Sequence, residues 1–345
     1  MAKILYGISG DGFGHSTRAK VAIKHLQDAG HELCLVSYDK GYDMLSKSFA
    51  VEKINGLRLE YANHEVKYLA TVAKNLMKSK ATIESLDKVR ALAKKFKPDL
   101  VITDFEPTVN LAANWLDLPL ISLDNMHVIT KTKIDIPEKW LSEYLTTKLI
   151  IRLMVFNANK YIILSFFDAK PNTAKAVLVP PIVRQEILDL VPTKADHILV
   201  YLTAEDSKII PVLKDSRAKY IVYGIDKQGA EDNIIFKPLG GNEYLADLAS
   251  ARGIVATAGF SLLSESFYLG KPYLALPIKS QFEQLLNAHY LEKIGYGVMS
   301  ENLDYEVLQK YLNGLDDFSA KLSSYKPQGN SLALSALDQA IKELL

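Results

Sequence analysis

From residue 253 to 297 the apolar pattern changes period twice, and this alternation restricts the chain to an open α/β sheet. The stretch reads as strand, tight turn, short helix, glycine stop, strand, loop and helix. The turn Thr257-Ala258-Gly259 leaves the backbone N–H groups of Phe260, Ser261 and Leu262 without helical partners. Those donors, at the positive end of a helix dipole, suit an anion such as a diphosphate. Glu265 follows one turn along from Ser261 on the same face. A carboxylate there would repel phosphate, so it suits a neutral diol such as a ribose. Gly270 stops the helix and Pro272 opens the next connection. The turn alone would mean an ordinary βαβ unit; the whole run sketches a nucleotide-diphosphate site.

The same alternation runs on both sides of this stretch, and 345 residues suffice for two domains. A hydrophobic share of 48% supports substantial cores, while a net charge of +1 argues against a nucleic-acid binder. Cys34 is the single cysteine, so neither an internal disulfide nor a thiolate metal cluster can form. The chain enters a strand pattern at Lys3 with no signal-peptide layout, and no apolar run approaches the ~20 residues that span a bilayer. These features predict a soluble, cytoplasmic α/β protein.

In the N-terminal half, residues 4–8 read as a buried strand, 16–28 as a helix and 32–37 as a second strand. Gly10, Gly12 and Gly14 approximate a dinucleotide fingerprint, but the third glycine is followed at once by His15, which weakens that reading. His15 either packs at the helix start or acts as a general base, since a helix N-terminus favours the neutral ring. Residues 51–61 suggest a strand, and 65–97 one or two lysine-rich helices whose lysines form a solvated face. Residues 99–103 are a buried parallel strand ending in Asp104-Phe105-Glu106-Pro107. Ligands of open α/β sheets sit at such strand ends. Asp104 either orients the imidazole of His15 or caps the helix predicted over 108–116.

A strand over 120–123 leads to Asp124-Asn125-Met126-His127. Glu106, Asp124, Asn125 and His127 are therefore candidates for acceptor contact, although a lone histidine such as His127 is more often structural. The scattered histidines and the lack of an Asp-x-Asp at a strand end predict no required metal. Residues 137–159 read as one long apolar helix with Lys148 and Arg152 interspersed, either covering the sheet or lying on a membrane surface. After strands at 161–164 and 176–179, Pro180-Pro181 marks a domain boundary, with Arg184 a candidate phosphate contact or interdomain salt bridge. A second α/β series starts at 197–202, and Thr203 opens a turn that could reach a phosphate. Strands are expected at 219–223 and 233–237, and helices at 305–312, 318–322 and 331–345.

Gly259, Glu265, Gly270-x-Pro272, Pro277 and Glu283-Gln284-x-x-Asn287-Ala288 together resemble the donor signature of GT-B nucleotide-sugar glycosyltransferases. Gly12-Phe13-Gly14-His15 resembles their Gly-x-Gly-His loop, and Pro180-Pro181-Ile182-Val183-Arg184 their Pro-x-Arg element. The match is nearest to the peptidoglycan N-acetylglucosaminyltransferase group. Glu283 stands where an Asp is usual, Thr257-Ala258-Gly259-Phe260 replaces a His-Cys-Gly-Trp lead-in, and Arg18 replaces a proline.

The resemblance implies an α/β GT-B fold with two Rossmann-like domains facing across a cleft. The first would span 1–181, with the terminal helix 331–345 packed back on it, and the donor domain 182–330. It implies inverting transfer of a hexosyl unit, N-acetylglucosaminyl in the nearest group, from a UDP-sugar to a hydroxyl. No metal and no cofactor beyond that donor would be needed. His15 and Asp104 would be catalytic, and Gly14, Arg184, Thr203, Gly259, Phe260, Ser261, Glu265, Glu283 and Gln284 would bind the donor. A lipid-linked acceptor would bring the protein to the inner face of the cell membrane. A UDP-sugar 2-epimerase of the same fold and a non-catalytic sugar-nucleotide-binding protein remain as alternatives.

Overall fold

The computed structural model describes residues 1–56, 61–62, 65–66, 80–202, 206–325 and 329–345. It divides into two compact units, one of Met1–Arg184 with Gln328–Leu345 and one of Gln185–Pro327.

The first unit is built on strands β1 (Lys3–Ile8), β2 (Glu32–Ser37), β3 (Val51–Lys53), β4 (Leu100–Asp104), β5 (Leu120–Asp124), β6 (Lys160–Leu164) and β7 (Ala176–Val179). They form one parallel sheet in the order β7-β6-β5-β4-β1-β2-β3. Strands covered on both faces read as unbroken apolar runs, and Ile4, Leu5, Tyr6, Ile8, Leu100, Val101 and Ile102 are all buried. The strand order reverses between β1 and β4, so their carboxyl ends frame the crevice where such sheets bind ligands. Helix α1 (Gly14–Asp28) follows β1, α2 (Pro107–Trp115) follows β4, and α3 (Leu141–Met154) precedes β6. The terminal helix Ser331–Leu344 buries Ala333, Leu337, Ala340 and Ile341 within this unit. Its Asp338 meets His25 at 2.8 Å, its Glu343 pairs with Lys160, and Asn330 brackets the backbone of Val183 with two hydrogen bonds of 2.8 and 2.7 Å.

Several expected elements differ. Helix α1 begins at Gly14, two residues early, because glycines carry no periodic signal. The single helix expected over 137–159 is a 3₁₀ turn, Glu138–Trp140, followed by α3, and it ends where the Phe156 carbonyl accepts from the Asn110 amide at 2.8 Å. Of the lysine-rich stretch, Lys80–Phe96 is helical, whereas Glu65–Val66 pairs as a short strand with Tyr61–Ala62. Residues 67–79, with Lys67, Lys74 and Lys78, lie outside the described residues. Of the strand expected over 51–61, β3 covers Val51–Lys53 and Tyr61 belongs to the short pair, while residues 57–60 also lie outside the described residues.

The second unit repeats the scheme with β8 (Ile198–Tyr201), β9 (Tyr220–Tyr223), β10 (Gly229–Glu231), β11 (Ile234–Phe236), β12 (Gly253–Ala256), β13 (Tyr273–Ala275) and β14 (Gly297–Met299). The order is β10-β11-β9-β8-β12-β13-β14, parallel except for the β10–β11 pair. The order reverses between β8 and β12, which defines this sheet's own ligand edge. Helix α4 (Phe260–Tyr268) follows β12 and α5 (Phe282–Ile294) follows β13. The two helices expected after residue 300 are one, α6 (Tyr305–Leu322), whose buried Leu308, Tyr311, Leu315 and Leu322 keep helical spacing past Gly314. The Tyr311 hydroxyl donates to the carbonyls of Ile254 (3.0 Å) and Pro272 (2.9 Å), tying α6 beneath β12 and β13. Among the described residues, no helix is long and apolar enough to cross a membrane.

Candidate active site

At the reversal point of the first sheet, β1 runs into the glycine loop and α1. Ser9 N–H donates to the Asp104 carbonyl at 3.0 Å, which zips the loop onto the end of β4. A Cβ on Gly10 would lie 2.1 Å from the Tyr38 carbonyl oxygen, so only glycine lets these backbones approach. Gly14 opens α1, and no side chain caps its start. On the first turn, His15 points Nδ1 at Asp104 Oδ1, 2.8 Å away. Nε2 has no partner among the described residues, and the His15 side chain keeps 16% of its surface. Asp104 closes β4 and is wholly buried. Burial favours its neutral form, but Arg18 and then His15 outweigh that and hold the carboxyl below the usual carboxylate range.

The helix cap is Glu106, not Asp104. Phe105 takes a left-handed backbone (φ 54°), which leaves Asp104 on the sheet end and turns Glu106 into α2. Its two carboxylate oxygens accept from Thr108 N–H (3.0 Å) and Val109 N–H (2.6 Å). Burial pushes this carboxyl up despite those bonds. Wholly buried and spent on the cap, Glu106 has no surface with which to meet an acceptor.

Asp124 and His127 form a second, buried pair. Asp124 Oδ2 lies 2.8 Å from His127 Nδ1 and accepts from Ser122 Oγ at 2.5 Å. Burial opposes the charge on Asp124, yet His127 and these bonds bring its carboxyl down to about 2. Both residues are only 1% exposed, so as acceptor contacts they are screened by the fold. The ring of His127 packs 4.8 Å from that of Tyr161, with Nε2 buried and unpartnered. Asn125 accepts from Arg18 Nη1 at 2.8 Å and is likewise buried.

The residue that joins these groups is Arg18, read from sequence only as the replacement for a proline. It is 4% exposed and forks onto Asp104 through Nε (2.7 Å to Oδ2) and Nη2 (to Oδ1). Its spacing of three from His15 on one helix face was the available signal.

In the second unit, Gly259 enters α4 with extended backbone (φ −65°, ψ 131°), and no side chain caps the start. The turn is braced from below: Asn287 Nδ2 donates to the Ala258 carbonyl (3.0 Å) and the Tyr273 hydroxyl to that of Thr257 (2.7 Å). Gln284 is buried, and its Oε1 accepts from Ile278 N–H at 3.1 Å, holding the loop before α5. Phe260 and Glu265 are buried, Ser261 and Glu283 half-buried. Gly270, at φ 68°, ends α4 as expected of a left-handed stop. Gly259, Phe260 and Ser261 thus stand at the start of α4, with Glu265 further along it and Gln284 on α5. Arg184 is the last residue of the first unit's main segment, and Thr203 lies outside the described residues.

Residues 2–316 match the family described as glycosyl transferase family 1. The chain belongs to that family. It is similar to an uncharacterized glycosyltransferase of Methanosarcina mazei, 27% identical over 332 residues that cover 86% of this chain and 85% of that protein. A local similarity, 33% over 95 residues and 25% of the chain, links it to a Legionella pneumophila transferase. That protein is the UDP-N-acetylglucosamine–N-acetylmuramyl-(pentapeptide) pyrophosphoryl-undecaprenol N-acetylglucosamine transferase, of which 26% is covered. Among solved structures, the glycotransferase of kitacinnamycin aligns with a TM-score of 0.71 at 15% identity, covering 100% of this chain and 99% of that one. The fold is therefore GT-B, and the protein is a glycosyltransferase.

One surface of the transferase departs from ordinary helix packing. Helix α3 buries Thr147, Ile150, Ile151 and Met154 but exposes Leu141, Leu145, Leu149 and Leu153, a row at four-residue spacing. Arg152 and Lys175 both disfavour the charge on nearby Lys131, after burial, so three cations gather where α3 carries Arg152.

Proposed function

We propose that this glycosyltransferase moves a hexosyl unit from a UDP-sugar to a hydroxyl acceptor with inversion and without a metal. The single observation that carries the reading is His15, held at Nδ1 by Asp104 with Nε2 unengaged at the ligand edge of the first sheet. Nε2 takes the acceptor's hydroxyl proton as that oxygen bonds to the anomeric carbon. The bond from that carbon to the diphosphate breaks, and its electron pair leaves with UDP. The uncapped start of α4 offers Phe260 and Ser261 N–H groups to the departing charge, the part a metal plays elsewhere. Glu265 takes the ribose diol, with Gly14, Arg184, Thr203, Gly259, Glu283 and Gln284 as further donor contacts.

The test of the donor is thermal: UDP at a hundredfold excess over Kd should stabilise the protein by about 2.7 kcal/mol. Glu265→Ala should shrink that response more than His15→Ala does. Melts indifferent to UDP and to other nucleotide diphosphates would remove the donor assignment.

The acceptor we propose is lipid-linked, in keeping with the undecaprenol named for the Legionella relative and with the leucine row of α3. Leucines flanked by cations suit an anionic bilayer surface. In flotation with anionic vesicles the protein should bind partly at low salt and be released by high salt. Leu145→Ser/Leu149→Ser should abolish binding; a wild-type protein that stays at the bottom at low salt would end the membrane proposal.

A further inference from the structure

The Asp104 carboxylate serves two partners, the Arg18 guanidinium and the His15 ring, and their geometry divides the work between them. Arg18 Nη2, His15 Nδ1 and Asp104 Oδ1 lie at the corners of a tight triangle, with Nδ1 2.8 Å from each of the other two. Arg18 Nε holds the second carboxylate oxygen at 2.7 Å, so the guanidinium fork already covers both oxygens. A guanidinium donates and never accepts, and it keeps its charge at all ordinary pH. An imidazolium at His15 would place a second cation 2.8 Å from the first, with only the Asp104 carboxylate in direct contact with both. A second cation pressed against a buried one is costly.

Among the described residues, no carboxylate besides Asp104 lies within hydrogen-bond distance of the His15 ring. From β1, the buried Tyr6 hydroxyl stays protonated, first through burial and then through Asp104. From the loop after β5, Asn125 contributes a neutral amide oxygen to Arg18 Nη1. Asp124 is engaged by His127 and Ser122, and from further off it also favours the charge on Arg18. Among the described residues, only Asp104 and Arg18 lie within hydrogen-bond distance of the His15 ring nitrogens; with the proton on Nδ1 directed to Asp104 Oδ1, Arg18 Nη2 is a close cationic neighbour and not a hydrogen-bond partner.

We propose that Arg18 is a positioning residue that carries the positive charge facing Asp104, so that His15 stays neutral. The idea rests on the reading of His15 as the base, yet its test does not need an acceptor.

The experiment is nitrogen-15 NMR of the histidine rings in the whole protein, with His15 assigned through His15→Gln among the seven histidines. At neutral pH the wild-type ring should be neutral with its proton on Nδ1. In Arg18→Met the unshielded carboxylate should draw the ring into the imidazolium form. Arg18→Lys keeps a charge and should restore the neutral ring, a rescue that a purely structural role does not give. Where Arg18→Met fails to fold, Arg18→Gln carries the same expectation. An imidazolium in the wild type, or one charge state shared by wild type and Arg18→Met between about pH 5 and 8, would overturn the proposal. A neutral wild-type ring protonated on Nε2 would support the charge argument and count instead against His15 as the base. The two failures are thereby told apart.

Discussion

His15→Ala should lower kcat by roughly 10²–10⁴-fold, the usual cost of losing a general base, while UDP binding stays close to wild type. The two effects separate because the base stands on α1 of the first unit, whereas the diphosphate contacts proposed for α4 belong to the second. Single-turnover kinetics at saturating UDP-sugar, with an acceptor in hand, measure the chemical step directly. Asp104 acts on that step only through the ring it orients, so His15→Ala/Asp104→Asn should be little slower than His15→Ala alone. Full additivity would strip Asp104 of its part. Near-wild-type turnover in His15→Ala would remove the histidine from the chemistry. The base would then have to be sought elsewhere, since Glu106, Asp124 and His127 are buried and engaged.

The second large effect is on stability. Asp104→Leu should cost about 3–5 kcal/mol, because it strands the Arg18 guanidinium in the interior without its carboxylate. Arg18→Met/Asp104→Leu should recover most of that loss, since removing both charges leaves none uncompensated. Trp115 and Trp140, the only tryptophans, both lie in the first unit, so urea unfolding followed by tryptophan fluorescence reports on the right half. An unfolding midpoint unchanged in Asp104→Leu would contradict the buried-pair account. Acid carries the same signature. Asp104 and Asp124 are both held below their unfolded values. The stability they provide is therefore complete above about pH 5 and drains away as pH falls through the folded values. For Asp124, lowered from 3.8 to about 2, the share is about 2 kcal/mol, lost mostly between about pH 4 and pH 2. Asp104→Leu should flatten the acid limb by its own share, leaving that of Asp124.

The α/β alternation was legible because parallel strands buried on both faces must be apolar throughout, and glycines must end the helices that cover them. That is why β1, β2, β5 and β12 fall within a residue of where the pattern puts them. The uncapped turn at Gly259 was legible for the same local reason: strand, turn and helix start are consecutive in the chain. Helix 137–159 was half legible, since an apolar stripe all round shows that something must cover it but not which side stays bare. Tertiary structure chose Ile150, Ile151 and Met154 for the inside and left the leucine row outside.

The pairing of His15 with Asp104 spans 89 residues, and sequence could offer it only as one of two fates for that carboxylate. Glu106, two residues on, competes for the same cap, and the left-handed turn at Phe105 decides between them. Arg18 was visible in the sequence only as the residue standing where a proline is usual, three places after His15. A buried cation is tolerable only where a carboxylate meets it, and that meeting of α1 with the end of β4 exists in the folded chain alone.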